Sequence, residues 1–247
     1  MKPLLEVKEL VKTYPAFRLG PVSFSVNAGS ITGFIGRNGA GKTTTLKSIL
    51  HIVHPDSGTV EYFGAPLSAG ERSVKQRIGY AGGAVDWYPR KKISDIVAVT
   101  KLFYENWDDA AYKKYLHAFS LDPDRTPREL SEGMKVKLNL ALALSHRAEL
   151  LILDEPTSGL DPVSREELLD IFKALRERGV AILFSTHITS DLEKCADHIV
   201  YIKKGELIAS ASMESFLDSY AKDGVRPGLE DIMIACEKED FREKLAD

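Results

Sequence analysis

Ser30-Ile31-Thr32-Gly33-Phe34-Ile35-Gly36-Arg37-Asn38-Gly39-Ala40-Gly41-Lys42-Thr43 decides the fold of this chain. An apolar, β-branched run leads into a glycine-rich turn, and a helical pattern opens at Lys42 and continues to about Ile52. The segment from Gly36 to Thr43 satisfies G-x-x-x-x-G-K-[ST] in the strand–turn–helix setting this pattern requires. Glycines let backbone N–H groups converge on phosphate oxygens with no Cβ in the way. Lys42 brings a full positive charge to the β- and γ-phosphates, and the helix N-terminus adds its dipole. Thr43 offers a hydroxyl to Mg²⁺. Gly36, Arg37, Asn38, Gly39, Ala40, Gly41, Lys42, Thr43 and Thr44 are therefore the candidate nucleotide-binding residues, with Lys42 also a candidate catalytic charge. The alternative is an ordinary glycine turn before a helix. Its four constrained positions coincide by chance in roughly 1% of chains this long.

Working outward, Leu4–Tyr14, Pro21–Val26, Thr59–Phe63 and Ile78–Tyr80 read as further strands. Beyond residue 130, a helix is expected from about Ser131 to His146 and a buried strand at Leu150–Leu153. An amphipathic helix at Pro162–Arg178, a buried strand at Val180–Ser185 and a helix at Ser190–Ala196 follow, with a terminal strand pair at His198–Ile202 and Glu206–Ala209. Strands that are apolar throughout and alternate with helices imply a parallel sheet covered on both faces. The expected class is α/β: a P-loop NTPase core with a parallel sheet, an N-terminal antiparallel β subdomain and an inserted helical subdomain. The insertion is residues 84–130, extending into the 131–146 helix. Its 47 residues hold 8 of the chain's 21 aromatic side chains, including Trp87 and Trp107. Helical spacing at Ile93, Ile96 and Val97, and again at Tyr112, Tyr115 and Phe119, points to a small core, with Trp87, Tyr88 and Pro89 left to line a groove. Residues 1–83 and 131–210 form the ATP-binding core, and 211–247 a helical tail.

The composition excludes several classes. The chain has 247 residues, 44% hydrophobic and 28% charged, which is ordinary for a globular protein. Cys195 and Cys236 are too few for a disulfide framework and fit a reducing compartment. No apolar run approaches the roughly 20 residues a membrane helix needs, and Met1–Leu10 lacks the apolar stretch of a signal peptide. The formal charge is −3, of which the segment from Ala211 carries −5, from 10 acidic and 5 basic residues. A solvated helix face is the simple reading of that tail. Nothing approaches the basic stripe of a nucleic-acid binder, so no nucleic-acid partner is expected.

Leu150-Leu151-Ile152-Leu153-Asp154-Glu155 ends a buried run in two carboxylates. Such a strand should not end in paired acids unless they face a cation or a reacting group. Alternation along a strand assigns them different faces and different roles. Asp154 is placed to hold Mg²⁺, and Glu155 to orient and deprotonate an attacking water. His187 ends a strand of the same inferred sheet, where ligands collect, and is a candidate γ-phosphate contact.

Leu130-Ser131-Glu132-Gly133-Met134, with Ser131 23 residues before Asp154, resembles the signature motif of ATP-binding cassette (ABC) proteins. Pro156-Thr157-Ser158-Gly159-Leu160-Asp161 is similar to their D-loop, and Tyr14 lies 22 residues before Gly36, where the family places an aromatic ring against adenine. The resemblance runs from about Leu4 to Ala209. Within the family, Phe103–Asp108 and Leu229–Ile232 are similar to single-domain bacterial subunits of the ABC-2 type, including those from antibiotic-responsive operons. The resemblance implies an ATPase using ATP and Mg²⁺, cytoplasmic and held at the inner face of the membrane by a polytopic partner subunit. It also implies a head-to-tail pair of ATP-binding subunits, identical or paralogous, with export as the direction. Ser131, Glu132, Gly133 and Met134 would then face ATP held by the other subunit, and Ser158, Gly159, Leu160 and Asp161 would contact that subunit. A soluble regulatory ABC ATPase is the alternative. Guanine specificity is disfavoured by the lack of an Asn-Lys-x-Asp motif.

The sequence departs from the family twice. Glu132 replaces one of the two signature glycines, and Gly83 stands where the family has a glutamine that touches Mg²⁺ and links the core to the insertion. Gln76 lies upstream, in a presumed strand, and no side-chain ligand is expected at this loop. Metal coordination is then completed by water, and coupling relies on backbone motion at Gly82 and Gly83. ATP hydrolysis is predicted to persist despite Gly83. Undetectable turnover by the assembled complex, restored by Gly83→Gln, would overturn that expectation.

Overall fold

The computed structural model describes residues 3–67, 71–82, 88–222 and 225–246, with backbone alone from 239 onward. Chain order is β1 (Leu5–Tyr14), β2 (Phe17–Val26), β3 (Ile31–Ile35), α1 (Lys42–Ile49), β4 (Ser57–Tyr62), β5 (Ala65–Pro66), α2 (Glu71–Lys75) and β6 (Ile78–Gly82). The insertion contributes α3 (Ile93–Thr100) and α4 (Asp109–Ala118), with short 3₁₀ turns at Lys101–Phe103 and Pro127–Glu129. Then come α5 (Glu132–Ser145), β7 (Leu150–Asp154), α6 (Pro162–Glu177), β8 (Ala181–Thr186), α7 (Thr189–Cys195), β9 (His198–Lys203), β10 (Glu206–Ser212), α8 (Met213–Ser219) and α9 (Leu229–Ala246).

Six strands form the central sheet in the order β10-β9-β3-β8-β7-β6, parallel except for the β9–β10 hairpin at one edge. A separate antiparallel sheet, β2-β1-β4-β5, covers one side. The pleat divides the central strands between two cores. Leu150, Ile152, Leu183 and Phe34 face α1 and the antiparallel sheet, whereas Leu151, Leu153, Ile182 and Phe184 face α5, α6 and α7. Strands buried on both faces therefore read as unbroken apolar runs, as the sequence predicts. A third, smaller core joins Ile93 and Val97 of α3 to Tyr112 and Leu116 of α4 and to Leu138 of α5.

The differences from the sequence reading have local causes. β2 starts at Phe17 rather than Pro21, because Phe17 pairs with Tyr14 across a tight turn. Pro21 is tolerated there because β2 is the edge strand of its sheet, hydrogen-bonded as a ladder to β1 alone. α1 stops at Ile49, before His51 with φ 54° breaks the helical path. The short β5 and α2 carry no periodic signal and were not foreseen. Gln76 sits between α2 and β6, not within a strand. Gly83 and Trp87 lie outside the described residues.

The tail also differs. β10 runs past residue 211 to Ser212, and the helices beyond it are not merely a solvated face. Phe216 of α8 and Leu229, Ile232 and Met233 of α9 are buried in the core beneath α7. Lys203 Nζ donates to the carbonyl of Cys236 at 2.9 Å, and Arg37 pairs with Glu237 at 3.3 Å. Ile232→Ala is therefore expected to destabilise the chain by about 2–5 kcal/mol, read by urea unfolding. A change within about 0.5 kcal/mol would return the tail to a solvated role.

Candidate nucleotide site

β3 is buried along its whole length and ends at Ile35, so the chain emerges at the carboxyl edge of the sheet. Two contacts explain the glycines that follow. A Cβ on Gly36 would meet the carbonyl oxygen of Ile202 at 2.4 Å, and Gly41 turns into α1 with φ 112°. Lys42, at the first position of α1, is 5% exposed. Its ammonium donates to the carbonyls of Gly36 at 2.7 Å and Arg37 at 3.3 Å, and pairs with Glu155 Oε1 at 3.1 Å. A buried cation needs such partners, since its desolvation otherwise costs several kcal/mol. Thr43 is exposed and Thr44 half-buried beside it, at the open end of the cleft.

β8 lies next to β3 in the sheet and β7 next to β8, and the two deliver the histidine and the acids to the same edge. Asp154 is in the Leu150–Ile152 register, which places it on the α1 side. Opposite it, Ser185 Oγ donates to Asp154 Oδ1 at 2.6 Å. The two carboxylates are not separated by strand alternation, because β7 ends at Asp154 and Glu155 has φ 52°. That left-handed backbone costs about 1–3 kcal/mol in a non-glycine residue. It is held by Ser185, whose carbonyl and hydroxyl accept from Glu155 N–H at 3.1 and 3.0 Å. The turn brings Glu155 between Lys42 and His187, whose Nδ1 lies 2.8 Å from Oε2. Lys42, Glu155 and His187 thus meet in one cluster, with Asp154 at the strand end beside it. Ser185 carries no signal of its role in the sequence, being one more hydroxyl inside a buried strand.

Tyr14 is not in the cleft. Its ring is 39% exposed at the β1–β2 turn with Lys12 Nζ 5.7 Å from its centroid. Phe17, across the same turn, lines the cleft with Arg37, Asn38, Gly39, Lys42 and Thr43, and its ring would lie 3.0 Å from a Cβ on Gly41. The hairpin sends positions 14 and 17 to different surroundings, and of the two rings it is Phe17 that lines the phosphate-loop cleft.

The signature residues form a second locus. Ser131 caps α5, its hydroxyl accepting from Met134 N–H at 3.3 Å, and Glu132 pairs with Lys135 at 2.7 Å. Gly133 packs against Leu160 and Ser164, so the signature and D-loop segments are neighbours. Asp161 caps α6, accepting from the N–H groups of Val163 and Ser164 and from the Ser164 hydroxyl at 2.6 Å. These bonds, the Ser164 hydroxyl first, hold its carboxyl below the usual range. Ser158 and Glu132 line a cavity of about 220 Å³ that reaches Asp154 and Glu155. Ser131 and Gly133 do not line the phosphate-loop cleft.

A phosphate-loop cleft at the carboxyl edge of a parallel sheet, with a strand-end acid pair and a histidine, defines a P-loop nucleotide hydrolase. The sequence profile described as ABC transporter matches residues 19–158. The chain is 36% identical over 203 residues to the Nod factor export ATP-binding protein I of Burkholderia lata, a match covering 80% of this chain and 67% of that protein. It is 33% identical over 212 residues to the bacitracin transport ATP-binding protein BcrA of Bacillus licheniformis, covering 84% and 69%. A solved ATP-binding subunit of an ABC transporter superposes with a TM-score of 0.83 at 29% identity, covering 94% of this chain and 98% of that one. The chain belongs to the ABC transporter family as an ATP-binding subunit, an ATPase that powers transport.

The two aromatic positions give opposite expectations. Phe17→Ala should weaken ATP binding roughly tenfold, in line with about 1–3 kcal/mol for a ring stacked on a base, whereas Tyr14→Ala should change it less than twofold. Titration with a fluorescent ATP analogue measures both. The reverse ranking would restore Tyr14 to the adenine contact.

Proposed function

We propose that this chain drives export through a separate polytopic membrane subunit, as one of two ATP-binding subunits that close head to tail around two ATP molecules. The observation that carries the reading is the separation of the two loci. Lys42 and Phe17 line one cleft, whereas Gly133 lies against Leu160 of the D-loop and neither it nor Ser131 lines that cleft. A second chain brings its Ser131 and Gly133 to the γ-phosphate, where the start of α5 offers N–H groups and a hydroxyl to the anion. The phosphate loop cradles the phosphates and Lys42 neutralises them. Glu155 is then released from Lys42 and takes the proton of the attacking water, with His187 holding its other oxygen.

The residues fit Mg²⁺. Thr43 presents a hydroxyl at the mouth of the cleft and Ser185 orients the Asp154 carboxylate. Among the described residues no group of three or more His, Cys, Asp or Glu could hold a metal ion by itself. The ion would therefore be shared between these two side chains, the nucleotide phosphates and water, the arrangement a small hard cation prefers. When bound, it draws off charge that develops on the phosphate oxygens.

The membrane partner is supported by an apolar groove of about 530 Å³ on the insertion. Exposed Tyr88, Val99 and Phe103 line it, and Lys91 stands at its edge. No helix among the described residues is long and apolar enough to cross a membrane. The reading therefore places the chain in the cytoplasm, at the inner face of the membrane, held there by the partner in this groove. Relatives named for export and transport support the direction.

Gel filtration of Glu155→Gln with Mg-free ATP tests the pair. A shift from monomer to dimer is expected, and it should be lost with Lys42→Ala. A persistent monomer that still binds ATP would rule out the homodimer in favour of two paralogous subunits. An entirely cytosolic pool, with no polytopic protein co-purifying from membranes, would overturn the transport partner and leave the regulatory alternative.

A further inference from the structure

Gln76 uses both ends of its side-chain amide on the insertion. Nε2 donates to the carbonyl of Phe103 at 2.7 Å, and Oε1 accepts from the N–H of Glu105 at 2.8 Å. One side chain thereby supplies a pair of bonds like those a neighbouring strand would make. The backbone carbonyl of Gln76 lies 3.1 Å from Nδ1 of His146, which therefore donates to it. His146 is buried at the end of α5, where desolvation pushes its pKa down and favours the neutral ring. That ring stacks on Tyr104 with centroids 3.7 Å apart and planes 8° from parallel. Asp108 N–H donates to the carbonyl of Ser145 at 2.8 Å and fixes the far end of the turn.

The turn so gripped carries two large apolar side chains outward, Leu102 at 79% and Phe103 at 69% exposure. Both elements that grip it lead to the nucleotide. From Gln76 the chain enters β6, whose last residue, Gly82, pairs with Asp154. From His146, α5 runs back about 21 Å to Ser131 at its cap. Within the turn, Tyr104 N–H donates to the carbonyl of Lys101 at 3.3 Å, and on its surface Glu105 pairs with exposed Arg72 at 3.1 Å. The grip of Gln76, Tyr104 and His146 is the one that ties the backbone of the turn to the start of β6 and the end of α5.

We infer that Gln76, with Tyr104 and His146, is a positioning latch that carries the nucleotide state of the core to the apolar patch at Leu102 and Phe103. It does the linking work that the family assigns to the glutamine replaced here by Gly83. Because both bonds of Gln76 go to backbone groups, its grip on the turn does not depend on the side chains of Phe103 and Glu105. The inference rests on the reading of that patch as the membrane subunit's docking surface. The latch and the docking surface are tested separately.

Amide hydrogen exchange on the full chain carrying Glu155→Gln, with and without ATP, tests the latch. ATP is expected to slow exchange in the phosphate loop, residues 36–44, and also in the turn, residues 101–108. Adding Gln76→Ala should leave the loop response intact, speed exchange of the Glu105 amide about tenfold, and abolish the ATP response of the turn. Gln76→Glu keeps the acceptor for Glu105 and loses the donor to Phe103. It should show an intermediate loss, and it replaces the alanine variant if that one does not fold. A turn that responds to ATP equally with and without Gln76, or never responds while the loop does, overturns the latch. Failure of ATP to protect the loop overturns the nucleotide reading instead. A Phe103→Asp chain that still sediments with membranes and its polytopic partner overturns the docking surface and leaves the latch standing.

Discussion

A lysine charge buried at the start of a helix is the constraint around which this molecule is arranged. Lys42 is almost fully removed from solvent, and a lone ammonium in that position would unfold the loop around it or give up its proton. Two carbonyls of the glycine loop and the Glu155 carboxylate hold it instead. The loop therefore has to curl back over its own helix, which only glycine at positions such as 41 permits. Glu155 must leave the strand path to reach the charge, and Ser185 stabilises that departure. The arrangement is electrostatically complete as it stands. It is also exchangeable, because any anion that reaches Lys42 frees a carboxylate already pointed at the same place.

The order of the sheet makes this convergence possible. β3, β8 and β7 are neighbours and parallel, so their carboxyl ends place the glycine loop, His187 and the acid pair side by side, although they are far apart in the chain. The remaining elements are satellites of that edge. The antiparallel sheet brings Phe17 to the cleft, and α6 and α5 hold the D-loop and signature segments against each other. α9 packs beneath α7 with Glu237 on Arg37 of the glycine loop. The acidic tail thus stabilises the core as well as contributing charge.

Much of this was legible in the residues because the signals are local. A glycine loop between a strand and a helix, an apolar run ending in two acids, and period-2 or period-3.6 spacing each depend on a few consecutive side chains. Where two strands or a turn had to be matched, local reading was weaker. Tyr14 and Phe17 share a hairpin, and nothing in their spacing says which ring turns toward the loop. The burial of Leu229 and Ile232 depends on α7 packing against them, which the excess of acids in the same segment masks. Nothing local marks Gln76, because the partners of its amide lie in the turn at 103–105, remote in the chain.

Contiguous residues alone reveal the phosphate loop, the acid pair, the order of the main strands and helices and the family, because each is written in side chains whose chemistry admits few other uses. The tertiary structure alone decided which aromatic faces the cleft, how Glu155 reaches Lys42, where the tail packs and what Gln76 holds. Those depend on backbone turns and on pairs of residues tens of positions apart, and distance along the chain says nothing about which of them meet.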